Sequence, residues 1–203
     1  MIQEFFSYLH HPDQLVVWAG YFGMAVIVFS ETGLLAGFFL PGDSLLVTAG
    51  LVASQGSLDI FRLNLLLMAA AIAGDSTGYC IGYQIGPRLF KREDSFFFRK
   101  SHVERTHRFF EKYGGKTIIL ARFVPIVRTF APTVAGVGKM DYKKFLSFNA
   151  AGAALWVLGM TSIGYFLGRR VPNIGKNIHI VVAVVIVISF LPVFLEIYKA
   201  KKK

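Results

Sequence analysis

Two short segments, GYQIGPR at residues 82–88 and GYFLGRR at residues 164–170, share the pattern G-Y-x-[IL]-G-x-R. Each closes a long apolar stretch, and each follows an apolar segment that a proline interrupts. In the first copy Phe39-Leu40-Pro41 is followed by Ala49-Gly50, and in the second Phe123-Val124-Pro125 is followed by Ala135-Gly136. The sequence therefore contains one unit used twice, a broken helical hairpin followed by a long apolar helix.

The order of these parts predicts how the two copies are oriented. If each copy crosses a membrane once, the second copy enters from the opposite side, which gives an inverted repeat. We predict an all-α membrane protein built from this inverted repeat of re-entrant hairpin plus transmembrane helix, with additional transmembrane helices at the termini. Residues 1–203 form a single membrane domain with repeat 1 at about 29–88, a basic amphipathic loop at 88–116, repeat 2 at about 117–170 and a C-terminal transmembrane helix at 178–198.

The composition supports a membrane protein. Of 203 residues, 54% are hydrophobic and only 17% are charged, and the mean hydropathy is +0.53. A spanning helix needs about 20 apolar residues, and Leu63–Gly86, Phe145–Gly168 and Ile178–Tyr198 each provide them. A fourth stretch, Leu15–Leu40, is also apolar and stops at Pro41-Gly42.

The net charge of +10 is unevenly placed. Residues 88–116 carry nine basic and four acidic side chains, and four lysines lie in the tail from Lys199 to Lys203. Basic segments that flank spanning helices are cytoplasmic and touch anionic lipid, so a multi-pass membrane protein is predicted, with loop 88–116 and the C-terminus in the cytoplasm. Arg169, Arg170 and Lys176 then lie outside, against the rule. No nucleic-acid partner is expected.

Proline and glycine mark the two hairpins. Pro41 and Gly42 interrupt the first, and Pro125 and Pro132 are predicted to interrupt the second. The apolar pieces that remain, such as Ser44–Ala53, are too short to span a bilayer. Broken helices of this kind are tolerated at membrane depth where they are buried in protein or line a polar cavity.

Five ionisable residues fall within the apolar segments, where charge is costly and marks ion or substrate routes. They are Glu31, Asp43, Asp75, Arg122 and Arg128. The repeat predicts that the acids of the first hairpin meet the arginines of the second. We interpret the arginines as a site for phosphate and the carboxylates as proton-binding groups. Two alternatives stay open: the pairs are purely structural ion bridges, or Asp75 is a satisfied packing residue rather than a third proton site.

Other features restrict the function. The histidines lie outside the broken segments, so neither a catalytic nor a metal constellation forms, and we expect no enzyme, no metal and no cofactor. Cys80 is the only cysteine, which excludes an intrachain disulfide, and its apolar surroundings predict a packed side chain. Glycines at 74, 78, 82 and 86 form a small-residue face, within one chain or between two, so a homo-oligomer stays open. Tyr79 and Tyr83 beside this face are predicted to be packing or interface aromatics.

These residues resemble the DedA family, also called the VTT or SNARE-associated Golgi protein family. The shared features are Glu31 ahead of PGDS at 41–44, GDSTGYCIG at 74–82, and ARFVPIVRT at 121–129 leading to Ala135-Gly136. The resemblance extends from about residue 29 to 170. It implies that the residues at Glu31, Asp43, Arg122 and Arg128 are functional, within two re-entrant hairpins of an inverted repeat.

The resemblance also supplies the substrate class. Members are bacterial inner-membrane proteins implicated in maintaining the proton motive force and in recycling undecaprenyl phosphate, and eukaryotic relatives are lipid scramblases. The resulting hypothesis is proton-coupled flipping of a polyprenyl-phosphate lipid, with protons and a phosphate-bearing lipid as partners. The alternatives are a proton or cation antiporter that supports the proton motive force, and a general phospholipid scramblase.

Overall fold

The fold consists of α-helices. The computed structural model describes residues 12–34, 42–90 and 115–170, and these contain six helices and no strand. The helices are α1 (Pro12–Gly33), α2 (Gly42–Ser54), α3 (Ile60–Phe90), α4 (Lys116–Ala121), α5 (Pro125–Val137) and α6 (Tyr142–Arg170). Helix α1 is kinked at Gly20, whose φ of 56° is outside the helical region. The all-α prediction is confirmed for this part of the chain.

Two helices are long and apolar enough to cross a membrane. They are α3, through its segment Ile60–Ile85, and α6, Tyr142–Arg170. The full helices α3 and α6 contain the predicted spans at 63–86 and 145–168. Both expose large apolar side chains, including Phe61 (82% exposed) and Phe166 (60% exposed), as expected of surfaces that face lipid. The predicted span at 178–198 and most of the basic loop 88–116 lie outside the described residues.

The predicted hairpin segments form short helices. Helices α2 and α5 have 13 residues each, about 20 Å of helix, against a hydrocarbon layer of about 30 Å. Helix α5 begins at Pro125 after an extended Val124, at the position where the sequence predicts a break. Gly42 is the first residue of α2, whereas Pro41 lies outside the described residues.

The prediction that Pro132 breaks the second hairpin was wrong. Pro132 lies inside α5, which continues to Val137. Proline removes one backbone donor, the one that would bond the carbonyl of Arg128, but its φ is compatible with a helix. The Pro132 Cβ lies 3.5 Å from the position that a Cβ on Gly78 would occupy. Packing of the ring against the glycine face of α3 holds the helix together across the proline.

The chain divides into two compact units. The first comprises Met1–Val28, Phe39–Ala70 and Ala154–Lys203, and the second comprises Phe29–Phe38 and Ala71–Ala153. Helix α3 therefore contributes its residues up to Ala70 to the first unit and the following ones to the second. The short helix α2 belongs to the first unit and α5 to the second.

In the first unit, α2 packs closely against α6. A Cβ on Gly50 would overlap the backbone oxygen of Thr161, and a Cβ on Gly164 would overlap that of Val47. Glycine is required at these positions because the two backbones touch there. The hydroxyl of Thr161 also donates to Asn64 Oδ1 at 2.7 Å.

In the second unit, α5 packs against α3 with the same register. A Cβ on Gly136 would overlap the backbone oxygen of Tyr79, and a Cβ on Gly82 would overlap that of Thr133. Tyr79 and Thr161 each lie three residues before the glycine of the Gly-Tyr pair in their copy. Val47 and Thr133 each lie three residues before the glycine of the Ala-Gly pair. The close contacts therefore occur at equivalent positions of the two copies. Each unit therefore combines the short helix of one repeat with the long helix of the other.

The glycine face of α3 is thus a packing surface within the chain at Gly74, Gly78 and Gly82. Cys80 lies on the opposite side of the helix and is exposed, so the prediction of a packed thiol was wrong. Apolar neighbours in sequence therefore do not imply a buried side chain in a membrane helix.

Candidate functional site

Four of the five predicted ionisable residues lie in the second unit, and all four are buried. Their exposed fractions are 1% for Glu31, 4% for Asp75, 3% for Arg122 and 9% for Arg128. Glu31 lies on α1, Asp75 on α3, Arg122 at the end of α4 and Arg128 on α5. The two arginines therefore lie on either side of the break between α4 and α5, which precedes Pro125. The structure brings them together as two ion pairs.

Arg122 pairs with Asp75. Helix α4 ends at Ala121, and Arg122 is its C-terminal cap. Its terminal nitrogen Nη2 donates to Asp75 Oδ2 on α3 and to Asn149 Oδ1 on α6, the latter at 2.8 Å. Asn149 is fully buried and its amide donates to the carbonyl of Ile72 at 3.2 Å. The amide is therefore held by α3 while it helps to position the guanidinium.

Arg128 pairs with Glu31. Arg128 lies in the first turn of α5, where its backbone N–H donates to the carbonyl of Val124 at 2.9 Å. Its Nη2 donates to Glu31 Oε1 in the last turn of α1. A Cβ on Gly74 would overlap the hydroxyl of Thr32, next to Glu31. The close approach of α1 and α3 at Gly74 thus places this carboxylate in the interior.

The two pairs are electrically balanced. Each guanidinium is buried with a carboxylate from another helix, as a charge in a low-dielectric interior requires. The sequence predicts that Glu31 and Asp43 meet Arg122 and Arg128, and within the second unit Glu31 lies against Arg128. The carboxylate at Arg122 is Asp75, which the sequence left open between a proton site and a packing residue.

Asp43 belongs to the first unit. It lies in the first turn of α2, where a negative charge is favourable for the helix. Its Oδ1 accepts a hydrogen bond from the indole N–H of Trp156 at 2.8 Å. Trp156 is 1% exposed and is the largest fully buried side chain among the described residues.

Sequence reasoning missed Asn149 and Trp156. Asn149 could have been found from the rarity of an amide within an apolar span, because such a group must find partners. Trp156 carried no signal of its own, since tryptophan is common in apolar helices. Within the described ranges, no group of three His, Cys, Asp or Glu side chains is placed to hold a metal ion.

The fold and the buried pairs define a helical membrane protein with charged residues gathered at a break between helices. A family model for the VTT domain matches residues 40–166. The chain is 48% identical to Protein DedA of Escherichia coli K12 over 197 residues, which is 95% of this chain and 90% of that protein. It therefore belongs to the DedA family of membrane proteins.

Other relatives agree. An uncharacterized membrane protein of Mycobacterium tuberculosis H37Rv is 46% identical over 185 residues, covering 89% of this chain and 81% of that protein. Inner membrane protein YqjA of E. coli K12 is 37% identical over 149 residues, 73% of this chain and 68% of that protein. No solved structure matches the chain. The VTT match includes Asp43, Asp75 and both arginines, and begins after Glu31.

Proposed function

We propose that this protein moves a polyprenyl-phosphate lipid, such as undecaprenyl phosphate, across the bacterial inner membrane with proton coupling. The observation that carries the proposal is the burial of Arg122 and Arg128 in ion pairs with Asp75 and Glu31 on either side of the break before Pro125. The family supplies the lipid class, and the name of the YqjA relative supports the inner membrane as location.

The chemistry is an exchange of anions. A guanidinium binds phosphate and carboxylate with the same planar fork of donors, so a phosphate head group competes with Asp75 and Glu31 for the arginines. In a low-dielectric interior the displaced carboxylate is costly as an anion, and taking up a proton removes that cost. Phosphate binding is thereby linked to protonation, and release of the phosphate to proton loss.

The remaining predicted site residue fits the same scheme. Asp43 stands at the start of the other short helix, and protonation of its carboxylate would weaken the hydrogen bond from Trp156. We assign Asp43 to the proton-coupling set with Glu31 and Asp75. The basic loop 88–116 and the lysine tail would lie in the cytoplasm against anionic lipid.

Reconstitution into liposomes tests the proposal. Wild-type protein is expected to move a fluorescent polyprenyl phosphate between leaflets faster when a pH gradient is imposed. Glu31→Gln, Asp75→Asn and Arg128→Lys are each expected to reduce this rate at least tenfold. Thr161→Val is the matched control, because it removes a buried hydrogen bond in the first unit and leaves the four charges in place.

The alternatives predict different results. A proton or cation antiporter dissipates a pH gradient at the same rate with and without polyprenyl phosphate. A general scramblase moves phosphatidylcholine as fast as polyprenyl phosphate and does not respond to the gradient. Wild-type rates in folded Glu31→Gln and Arg128→Lys proteins would refute the role of the ion pairs.

A further inference from the structure

A second candidate site lies at one end of α3, apart from the ion pairs. It is a cleft of about 450 Å³ in the second unit, within the usual size of small-ligand pockets. The cleft is lined by α3, by the turn after α5 and by the start of α6. Its side chains include Tyr79, Tyr83, Tyr142, Lys139, Asp141 and Cys80.

The cleft lies where the spanning segment leaves the hydrocarbon. Ile60–Ile85 has 26 residues, about 39 Å of helix, whereas the hydrocarbon layer is about 30 Å thick. The lining residues of α3 run from Tyr79 to Gln84, within about 9 Å of the end of the segment. Tyrosine is typical of this depth because its ring is apolar and its hydroxyl is polar.

Lys139 is held in this cleft by an unusual backbone. Its φ is 52°, and it is the one non-glycine residue with positive φ among the described residues. Its N–H donates to the carbonyl of Gly136, and the N–H of Met140 donates to that of Ala135, both at 3.0 Å. This is the Schellman ending of a helix, in which the residue at this position is usually glycine.

The end of the corresponding short helix α2 follows the usual pattern. There the residue with positive φ is Gly56, at 84°. A lysine in this conformation is strained, and strain of this kind concentrates at functional sites. The turn after α5 therefore retains a cationic side chain on the cleft where glycine would fit the backbone better.

Asp141 places a fixed negative charge beside this lysine. Its Oδ1 accepts the N–H of Lys144 at 3.0 Å, so it caps the start of α6. The rings of Tyr79 and Tyr83 are 6.2 Å apart, and those of Tyr79 and Tyr142 are 5.4 Å apart. Tyr79 is buried and its hydroxyl donates to the carbonyl of Met140, whereas Tyr83 and Tyr142 are about half exposed, and an exposed aromatic face attracts a cation. The cleft thus offers one cationic group, one carboxylate and aromatic rings at the level of lipid head groups.

We propose that the cleft binds the head group of a zwitterionic phospholipid, with its phosphodiester on Lys139 and its amine on Asp141 and the exposed rings of Tyr83 and Tyr142. A primary amine fits better than a quaternary one, because the carboxylate of Asp141 and the amide oxygen of Gln84 accept N–H donors. The occupant is therefore phosphatidylethanolamine. An anionic lipid without an amine would leave Asp141 facing a negative charge.

The reactivity of the Cys80 thiol can show whether the cleft is occupied. It is the only cysteine of the chain, it is exposed, and it lines the cleft. The protein is reconstituted in phosphatidylglycerol vesicles that contain an equal share of phosphatidylethanolamine or of phosphatidylcholine, and the rate of Cys80 alkylation by N-ethylmaleimide is followed by mass spectrometry. We expect alkylation to be at least threefold slower with phosphatidylethanolamine than with phosphatidylcholine, which dilutes the surface charge equally.

Conservative variants distinguish binding in the cleft from a general effect of the bilayer on alkylation. Lys139→Asn suits positive φ, and Asp141→Asn keeps a capping side chain, so both are expected to fold and to abolish the difference. Lys143→Asn, which changes an exposed lysine outside the cleft, is expected to keep it. Native mass spectrometry should show one phosphatidylethanolamine retained by wild-type protein and by Lys143→Asn, and none by the other two.

Two results would overturn the proposal. One is equal alkylation rates in the two vesicle types, and the other is a difference that survives both Lys139→Asn and Asp141→Asn. The measurement needs no transport, so it is independent of the outcome for polyprenyl phosphate.

Discussion

Replacing either Glu31 or Arg128 alone by a neutral residue should destabilise the protein more than replacing both. Glu31 is 1% exposed and Arg128 is 9% exposed, so Glu31→Gln or Arg128→Gln leaves the other buried charge without this counter-ion. Removing one partner of a buried pair costs about 3–5 kcal/mol. In the double variant the two amides can hydrogen-bond to each other, and neither charge of this pair remains.

We expect the double variant to be no less stable than either single one, and the interaction energy of the cycle to be at least about 2 kcal/mol. The free energy of unfolding is measured for all four proteins by denaturant titration in detergent micelles. Arg62→Gln, which alters an exposed arginine near the start of α3, should stay within about 0.5 kcal/mol of wild type. Additive costs in the double variant would show that the two side chains do not act as a pair.

The same double variant separates stability from transport. If the pair only holds the helices together, recovery of stability should be accompanied by recovery of activity. If Arg128 binds phosphate, the double variant folds and still fails to move polyprenyl phosphate. A double variant that is both stable and fully active would refute the proposed role of Arg128.

Two further predictions concern the backbone. Gly82→Ala and Gly164→Ala should each destabilise the protein by about 1–3 kcal/mol, because each new Cβ overlaps a backbone oxygen. Gly159→Ala, which has nothing within 4 Å of its new Cβ, should be neutral or stabilising by up to about 1 kcal/mol. Thermal unfolding in micelles compares the three variants, and equal effects would contradict the close approach of the backbones. Lys139→Gly should raise stability by about 1 kcal/mol through relief of the positive φ while it abolishes the lipid dependence of Cys80 alkylation, and a loss of stability would contradict the strain at this position.

The sequence predicted the helical elements because those depend on local rules. Apolar length located α3 and α6, proline located the start of α5, and the charges within apolar segments located the buried site. The sequence could not show that Asp75 is the partner of Arg122, because that choice depends on how α3 and α4 meet. It also misjudged Pro132, since a neighbouring helix decides whether a proline breaks its own helix.

For a related reason, the sequence did not predict that each unit combines the short helix of one repeat with the long helix of the other. The sequence motifs show that two copies exist, and they do not show which short helix packs on which long helix. The glycine contacts show an arrangement in which α5 packs on α3 and α2 packs on α6. Such contacts join segments that are distant in the chain, and glycine spacing alone does not identify which backbone fits against it.

Comparison of the two copies of the repeat shows which side chains the packing of the long helix requires. Asp75 lies one turn before Tyr79, and the same position of the second copy, one turn before Thr161, is Val157. Val157 is fully buried, so an apolar side chain satisfies the packing of the long helix at this turn. Buried ion pairs can often be replaced by apolar residues without loss of stability. The packing of the long helix at this turn therefore does not by itself require the Asp75–Arg122 pair, which fits the proposed role of the pair as an exchangeable anion site.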